Sequence, residues 1–452
     1  MLFRRETGIL LHPTSLPGPW GIGTLGSEAE AFASWAAGSG ATVWQVLPLS
    51  PPVYAGSPYQ TLSTFAINPL LLSPEKLFEA GYLSRKEVAG ARRPAGPSID
   101  HHALAERHLL LSRAASRALN DPPPGFVDFL ERRWVKEWRT FSSRKTANGE
   151  RPWNLWTNRA PSFETGGETT AMIQFLLEEQ WLSLRKHCES LGVSLLGDLP
   201  IYAAHDSSDV FYNRSIFKLD EDGAPAFLAG VPPDYFSSTG QLWGNPVYDW
   251  ERSAATGHRW WTCRLRRAME LFHYVRIDHF RGFESYWEVP AGAETAREGR
   301  WVPGPGESFF SAVEGELGPL PVVAEDLGMI TEEVRELRRN CGFPGMTVLQ
   351  FALEDPSFDP AAVPSDTVVY TGTHDNDTSL GWITSRGNEL GVASVKELIR
   401  MALDSPAQLA VIPVQDILEL GSSARMNTPA TVGGNWEFRL TGIPGPVSIS
   451  RR

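Results

Sequence analysis

Eight short apolar runs, separated for the most part by helical patterns, constrain this chain more than any other feature. They stand at residues 8–15 (GILLHPTS), 42–49 (TVWQVLPL), 193–203 (VSLLGDLPIYA), 274–283 (YVRIDHFRGF), 321–328 (PVVAEDLG), 346–353 (MTVLQFAL), 367–376 (TVVYTGTHDN) and 409–419 (LAVIPVQDILE). Near-continuous apolar runs, rather than polar alternation, mark strands covered on both faces, as in a parallel sheet. Helical patterns start at Ser27, Glu168, His258 and Thr331, and another lies near Ala393 to Leu403. Ser27 and Thr331 precede acidic first turns, and Gly192 and Gly342 follow helix ends. The order predicts an α/β fold, a (β/α)8 TIM barrel. Between Leu353 and Thr367 the stretch LEDPSFDPAAVPSD holds three prolines, so only weak helix is expected there.

A barrel can absorb well over ~250 residues as one unit, so the 452 residues are read as a single catalytic barrel domain, 1–452. Two connections are too long for barrel loops. Residues 51–165 open on PPVYAGSPYQ and carry charged helical segments, predicting a mostly helical subdomain inserted after the second strand. Residues 204–256, rich in Pro, Gly, Asn and aromatics, predict an ordered loop subdomain after the third strand, over the active site.

With 42% hydrophobic and 21% charged residues the chain can bury a large core. A net charge of −12, with no run of Lys or Arg, argues against nucleic acid or an anionic membrane as partner. The start MLFRRETGILLHPTS lacks the apolar stretch and cleavage site of a signal peptide. Three isolated cysteines, Cys188, Cys263 and Cys341, fit reduced thiols, and a cytoplasmic location is expected. The 16 Trp, 10 Tyr and 22 Phe, many in loop-like stretches, suggest that some rings serve a ligand while others fill the core.

Four of the runs deliver acids at their ends: Asp198 in GDLPIY, Asp278 in RIDHF, Glu325 in AEDLG and Asp375 in THDND. In a barrel, strand C-termini share one mouth. Residues i and i+2 face one side of a strand, so Arg276 should point with Asp278 and favour its ionised form, as a nucleophile requires. Glu325 and Asp326 are adjacent and face opposite ways, so one of them can enter the mouth. A glutamate there, in low polarity and near other acids, suits a proton donor. One ionised and one protonated carboxylate flanking a bond is the arrangement for glycosidic cleavage. Asp375 could bind sugar hydroxyls and favour an oxocarbenium-like transition state, with His279, His374 and His205 as further hydroxyl partners.

A barrel metallohydrolase could be pictured from His12, His205, Asp206, Asp278, His279, His374 and Asp375. The first strand has no His-x-His, no helix carries His-Glu-x-x-His, and Asp278 and His279 would face opposite ways on a continuing strand. No metal or cofactor is expected. TVGGNW, from Thr431 to Trp436, could cradle phosphate, but a lone Gly-Gly is better read as a tight turn.

At these residues the chain resembles the 4-alpha-glucanotransferases, also called amylomaltases or disproportionating enzymes, which form glycoside hydrolase family 77 of the alpha-amylase clan. The match runs in order through GILLHPTSLPGPWGIG, SPYQ, GDLPIYAAHDSSDVF, GVPPDYFSSTGQLWGNPVYDW, RIDHFRGF, AEDLG, GFPGMTVLQFA, THDNDT and MNTPATVGGNW. The resemblance implies Asp278 as nucleophile, Glu325 as general acid/base and Asp375 as transition-state stabiliser. Arg276, Asp198, His279 and His374 would support the sugar, with Tyr59 stacking at the cleavage point and Ser57 beside it. A loop from Gly230 to Trp250 would arch over the cleft, with Asp234, Phe236, Gln241 and Trp243 on the acceptor side. The implied reaction moves alpha-1,4-glucan segments between malto-oligosaccharides, or pieces of starch or glycogen, with retention through a covalent glucosyl-Asp intermediate. Spacing alone would equally fit an alpha-glucan hydrolase on the same residues. A non-catalytic glucan-binding protein is the third reading, although all three acids are present. Residues 75–165 match the family only loosely, Ala430 stands where a Gly is usual, and the chain ends at GIPGPVSISRR where the family commonly carries a closing helix.

Overall fold

A computed structural model describes residues 2–53, 56–157, 167–233, 237–386, 391–431 and 433–451. Twelve strands follow in chain order: β1 (Glu6–Leu10), β2 (Val43–Gln45), β3 (Ser194–Leu199), β4 (Phe227–Val231), β5 (Gln241–Pro246), β6 (Tyr274–Ile277), β7 (Ser285–Pro290), β8 (Arg300–Pro303), β9 (Val322–Ala324), β10 (Gly345–Val348), β11 (Thr367–Tyr370) and β12 (Leu409–Pro413). Eight of them form one sheet in the order β10-β11-β12-β1-β2-β3-β6-β9, with every pair parallel. The two end strands meet where the Ala324 N–H donates to the carbonyl of Pro344, just ahead of β10, at 2.9 Å, so the sheet all but closes into the expected (β/α)8 barrel.

Each of the eight apolar runs overlaps one barrel strand. β2, β9, β11 and β12 are buried at every residue, as strands lined by side chains within and helices without must be. The covering helices include Ser27–Gly38, Gly167–Ser190, Arg259–Leu271, Glu332–Asn340 and Val395–Asp404. The first begins on Ser27 itself, with Gly26 as its N-cap, so Ser27 does not cap it. Helices Gly306–Leu317 and Ser379–Arg386 complete the outer layer without having stood out in the sequence. After β10 the three prolines leave only Leu349–Ala352 and a 3-10 turn, Pro360–Ala362. The strands are shorter than the apolar runs because the runs continue past them, into loops or, after β10 and β12, into the short helices Leu349–Ala352 and Val414–Ile417.

Between β2 and β3 the chain forms helices Pro74–Glu79, Arg85–Ala91, His101–Ala118, Phe126–Glu131 and Arg133–Ala147. Between β3 and β6 it is more ordered than its composition suggests. There β4 and β5 join β7 and β8 in an antiparallel sheet of order β5-β4-β7-β8. Many of the aromatics are core: Trp44, Trp181, Trp261, Tyr248 and Tyr370 are among the largest fully buried side chains. Cys188, Cys263 and Cys341 are unpaired. Among the described residues no helix is long and apolar enough to cross a membrane.

Candidate active site

Three adjacent barrel strands set the floor of the mouth. The strand ladder runs on past its ends, the Asp278 N–H donating to the Leu199 carbonyl and the Glu325 N–H to the Ile277 carbonyl, both at 3.0 Å. Asp278 and Glu325 therefore sit one residue beyond β6 and β9, on neighbouring strands. Asp198 lies within β3, in register with Arg276. Gly197 before it has no room for a side chain, since a Cβ there would come within 2.2 Å of the Phe272 ring.

Arg276 points with Asp278 as the i, i+2 rule requires. Its Nη2 lies 2.9 Å from Asp278 Oδ1 and its Nη1 2.8 Å from Asp198 Oδ1. Asp198 is fully buried, and it also accepts from the Tyr59 hydroxyl at 2.7 Å. Burial raises the Asp198 carboxyl above the usual range, Arg276 opposes that, and Asp278 reinforces it. Tyr59 lies face to face with His374, ring centroids 5.1 Å apart at 17°, and the Tyr59 backbone N–H donates to Ser57 Oγ at 3.4 Å.

Of the two adjacent acids, Glu325 enters the mouth. Its Oε2 accepts from the His279 N–H at 2.6 Å and its Oε1 from the Leu327 N–H at 2.8 Å. Burial, reinforced by the Asp278 carboxylate, pushes Glu325 up to about 7. Asp326 turns to the barrel exterior, accepting from the Met346 N–H at 2.7 Å and lying 3.3 Å from Arg338 Nε.

His279 does not continue the strand, so the opposite-faces argument does not apply to it. β6 ends at Ile277, and His279 takes a left-handed φ of 51°, which aims its N–H at Glu325. Its buried Nε2 has no hydrogen-bond partner among the described residues, burial lowers the ring to about 3, and the Trp243 ring meets it edge-on at 4.8 Å. Trp243 and Gln241 share one face of β5, where the indole N–H donates to Gln241 Oε1 at 3.2 Å. Asp234 and Phe236 lie outside the described residues. His205 sits away from these groups, packed on Trp153 and bonded to the Gly223 carbonyl at 2.8 Å.

Asp375 is not at a strand end. β11 stops at Tyr370, and the next residues fold into a turn in which Asn376 Oδ1 accepts from the Thr373 N–H at 2.9 Å and the Thr373 hydroxyl at 2.8 Å. This leaves the Asp375 side chain 47% exposed, with Oδ2 3.5 Å from His374 Nε2. The turn rests on buried Asp416, which accepts from the hydroxyls of Thr371 and Ser379, each at 2.6 Å. Two consecutive glycines, Gly433 and Gly434, take φ of 87° and 71°, a tight turn. Among the described residues no group of three or more His, Cys, Asp or Glu is placed to hold a metal ion.

The sequence model of a glycoside hydrolase family described as 4-alpha-glucanotransferase matches residues 11–444. The chain belongs to the 4-alpha-glucanotransferase family. It is 44% identical to a 4-alpha-glucanotransferase of Thermus thermophilus, over 98% of this chain and 96% of that one. A 4-alpha-glucanotransferase of Streptococcus pneumoniae is 40% identical, over 97% and 94% of the two chains. The structure of an amylomaltase from Streptococcus agalactiae in complex with acarbose superposes with a TM-score of 0.93 at 32% identity, over 97% of this chain and 95% of that one. As a member of the 4-alpha-glucanotransferase family the chain is an enzyme that transfers glucan segments.

Sequence reasoning missed the residues that brace the Asp375 turn. Asp416 and Asn376 have no spacing that would betray them, because their partners lie on another strand's loop or within one irregular turn.

Proposed function

We propose that this enzyme moves alpha-1,4-glucan segments between malto-oligosaccharides with retention, through a covalent glucosyl ester on Asp278. The observation that carries the reading is the pair of acids on neighbouring strand ends: Asp278 ion-paired to Arg276 at 2.9 Å, and Glu325 pushed up to about 7. Asp278 Oδ attacks the anomeric carbon as the glycosidic C–O bond breaks, and Glu325 gives its proton to the departing oxygen. An acceptor's 4-hydroxyl then attacks the same carbon, Glu325 takes its proton back, and the ester to Asp278 is released. Asp375 and the unpartnered Nε2 of His279 bind hydroxyls of the reacting sugar, while Arg276, Asp198 and His374 hold the floor on which it lies.

Transfer over hydrolysis requires a held acceptor and excluded water. Tyr59, with Ser57 beside it, supplies a stacking face, and Trp243 and Gln241 on β5 wall the acceptor side. The segments 51–165 and 204–256 serve as insertions that complete this wall on one catalytic domain. Three unpaired cysteines suit an enzyme working in the cytoplasm on glucans derived from starch or glycogen. The test is product analysis on maltotriose. A ladder of chains above the trisaccharide, with free glucose released, supports the reading; only shorter sugars, with one reducing end per bond cleaved, would make the enzyme a hydrolase.

A further inference from the structure

Asp375 lies in an exposed turn five residues beyond the end of β11, yet its carboxylate must meet a sugar ring to within a fraction of an ångström. What holds it comes from the segment after β12. Asn427 Nδ2 donates to Asp375 Oδ1 at 2.6 Å, and the Asn427 backbone N–H donates to the His374 carbonyl at 3.1 Å. Arg425 ties the two together: its Nη2 donates to the Asp375 carbonyl at 2.6 Å and its Nε to the Asn427 carbonyl at 2.7 Å. Among the described residues Arg425 makes no ion pair, so both of these bonds go to main-chain oxygens of the clasp itself.

We infer that Arg425 is a positioning residue for the transfer reaction, acting through Asp375 and Asn427 rather than on the sugar. The inference rests on the role proposed above for Asp375. A guanidinium presents Nε and Nη2 as two coplanar donors in a fixed fork, so one side chain sets the distance between two carbonyls on two different loops. A lysine ammonium is a single point without that geometry. Loosening the fork frees the Asp375 turn to rotate, and a misplacement of about 1 Å at a reacting group costs on the order of 100-fold in rate. Because the sugar's other contacts are untouched, the loss falls on the transition state and leaves ground-state binding in place.

The test is a double-mutant cycle on the full-length enzyme with Arg425→Ala, Asp375→Asn and the two combined, using alpha-maltotriosyl fluoride as donor so that slow variants stay readable. Arg425→Ala should lower kcat by about 10- to 100-fold with KM within about twofold, and Arg425→Lys should recover only part of the loss. In the Asp375→Asn background, Arg425→Ala should cost less than about twofold, since the group it positions is already gone. Equal losses in both backgrounds, or an Arg425→Ala enzyme within twofold of wild type, would overturn the inference. If Arg425→Ala melts out at the assay temperature, Arg425→Gln takes its place in the same cycle. An Asp375→Asn enzyme with wild-type activity would instead remove the role proposed for Asp375, a result distinct from a failure of Arg425 alone.

Discussion

Arg276 reaches Asp278 through Nη2 at 2.9 Å while its Nη1 holds buried Asp198 at 2.8 Å. One guanidinium thus orients the proposed nucleophile against a fixed anchor on the next strand. The anchor is fixed in turn, because the Tyr59 hydroxyl donates to Asp198 at 2.7 Å. Arg276→Lys can satisfy one carboxylate but not both from a single ammonium. It should lower kcat/KM for maltotriose by at least about 100-fold, about 2.7 kcal/mol of transition-state stabilisation. Steady-state rates on purified variant and wild type check this, and a loss below tenfold would count against the fork.

Glu325 carries a signature in pH. In its proposed role as acid it must hold a proton to expel a sugar, and its proton is lost as pH rises through about 7, so kcat/KM on maltotriose should fall on that alkaline side. With a fluoride leaving group the first step needs no proton, and glucosylation should lose that limb. Glu325→Gln should be crippled on maltotriose and partly spared on the fluoride; equal losses on both donors would contradict its acid role.

The same group sets a pH dependence of stability. Its folded pKa lies above the ordinary 4.5, so between 4.5 and about 7 the folded state binds more protons than the unfolded one, and stability falls as pH rises through that window. Glu325→Gln removes this titration. The difference in Tm between variant and wild type should therefore shift in the variant's favour from pH 5 to pH 8, by a free energy on the order of 1–3 kcal/mol. Thermal melts across that range check the sign.

Trp243 meets His279 edge-on at 4.8 Å, one residue from the proposed nucleophile Asp278, and is proposed above to wall the acceptor side. Trp243→Ala opens that wall to water. Reducing ends released per bond cleaved should rise by about 3- to 10-fold, while total cleavage falls less, as orientation of the acceptor is lost. Paired assays of free glucose and total reducing sugar read the ratio directly.

Ala430 takes a left-handed φ of 61° on an exposed turn, a conformation that costs an L-residue with a Cβ roughly 1–2 kcal/mol. Ala430→Gly relieves that strain and loses part of the gain to the freer unfolded chain, for a net stabilisation of about 0.5–1 kcal/mol. A small rise in Tm with unchanged kcat is expected.

The barrel was legible because strands buried on both faces are mostly apolar and lack polar alternation, and each of the eight apolar runs overlaps a strand. The Arg276–Asp278 pairing was legible for an equally local reason, the two-residue period of a strand. Asp375 was placed at a strand end and instead sits in a turn, because Thr373 and Asn376 bond to each other and stop the strand at Tyr370. The antiparallel sheet of β4, β5, β7 and β8 was hidden by its Gly, Pro and Asn content and by partners far apart in the chain, Leu228 facing Val289 for example. The clasp on Asp375 was invisible for that last reason too: Arg425 and Asp375 are 50 residues apart, and nothing periodic links them.

The central claim is that Asp278 becomes covalently bonded to the sugar. Glu325→Gln incubated with alpha-maltosyl fluoride should lose fluoride and form the ester, then stall, because no base remains to activate an acceptor hydroxyl. Mass spectrometry of the quenched protein should find one maltosyl group added, and digestion should place it on the peptide carrying Asp278. Turnover of the fluoride with no adduct, or an adduct on another residue, would contradict the account.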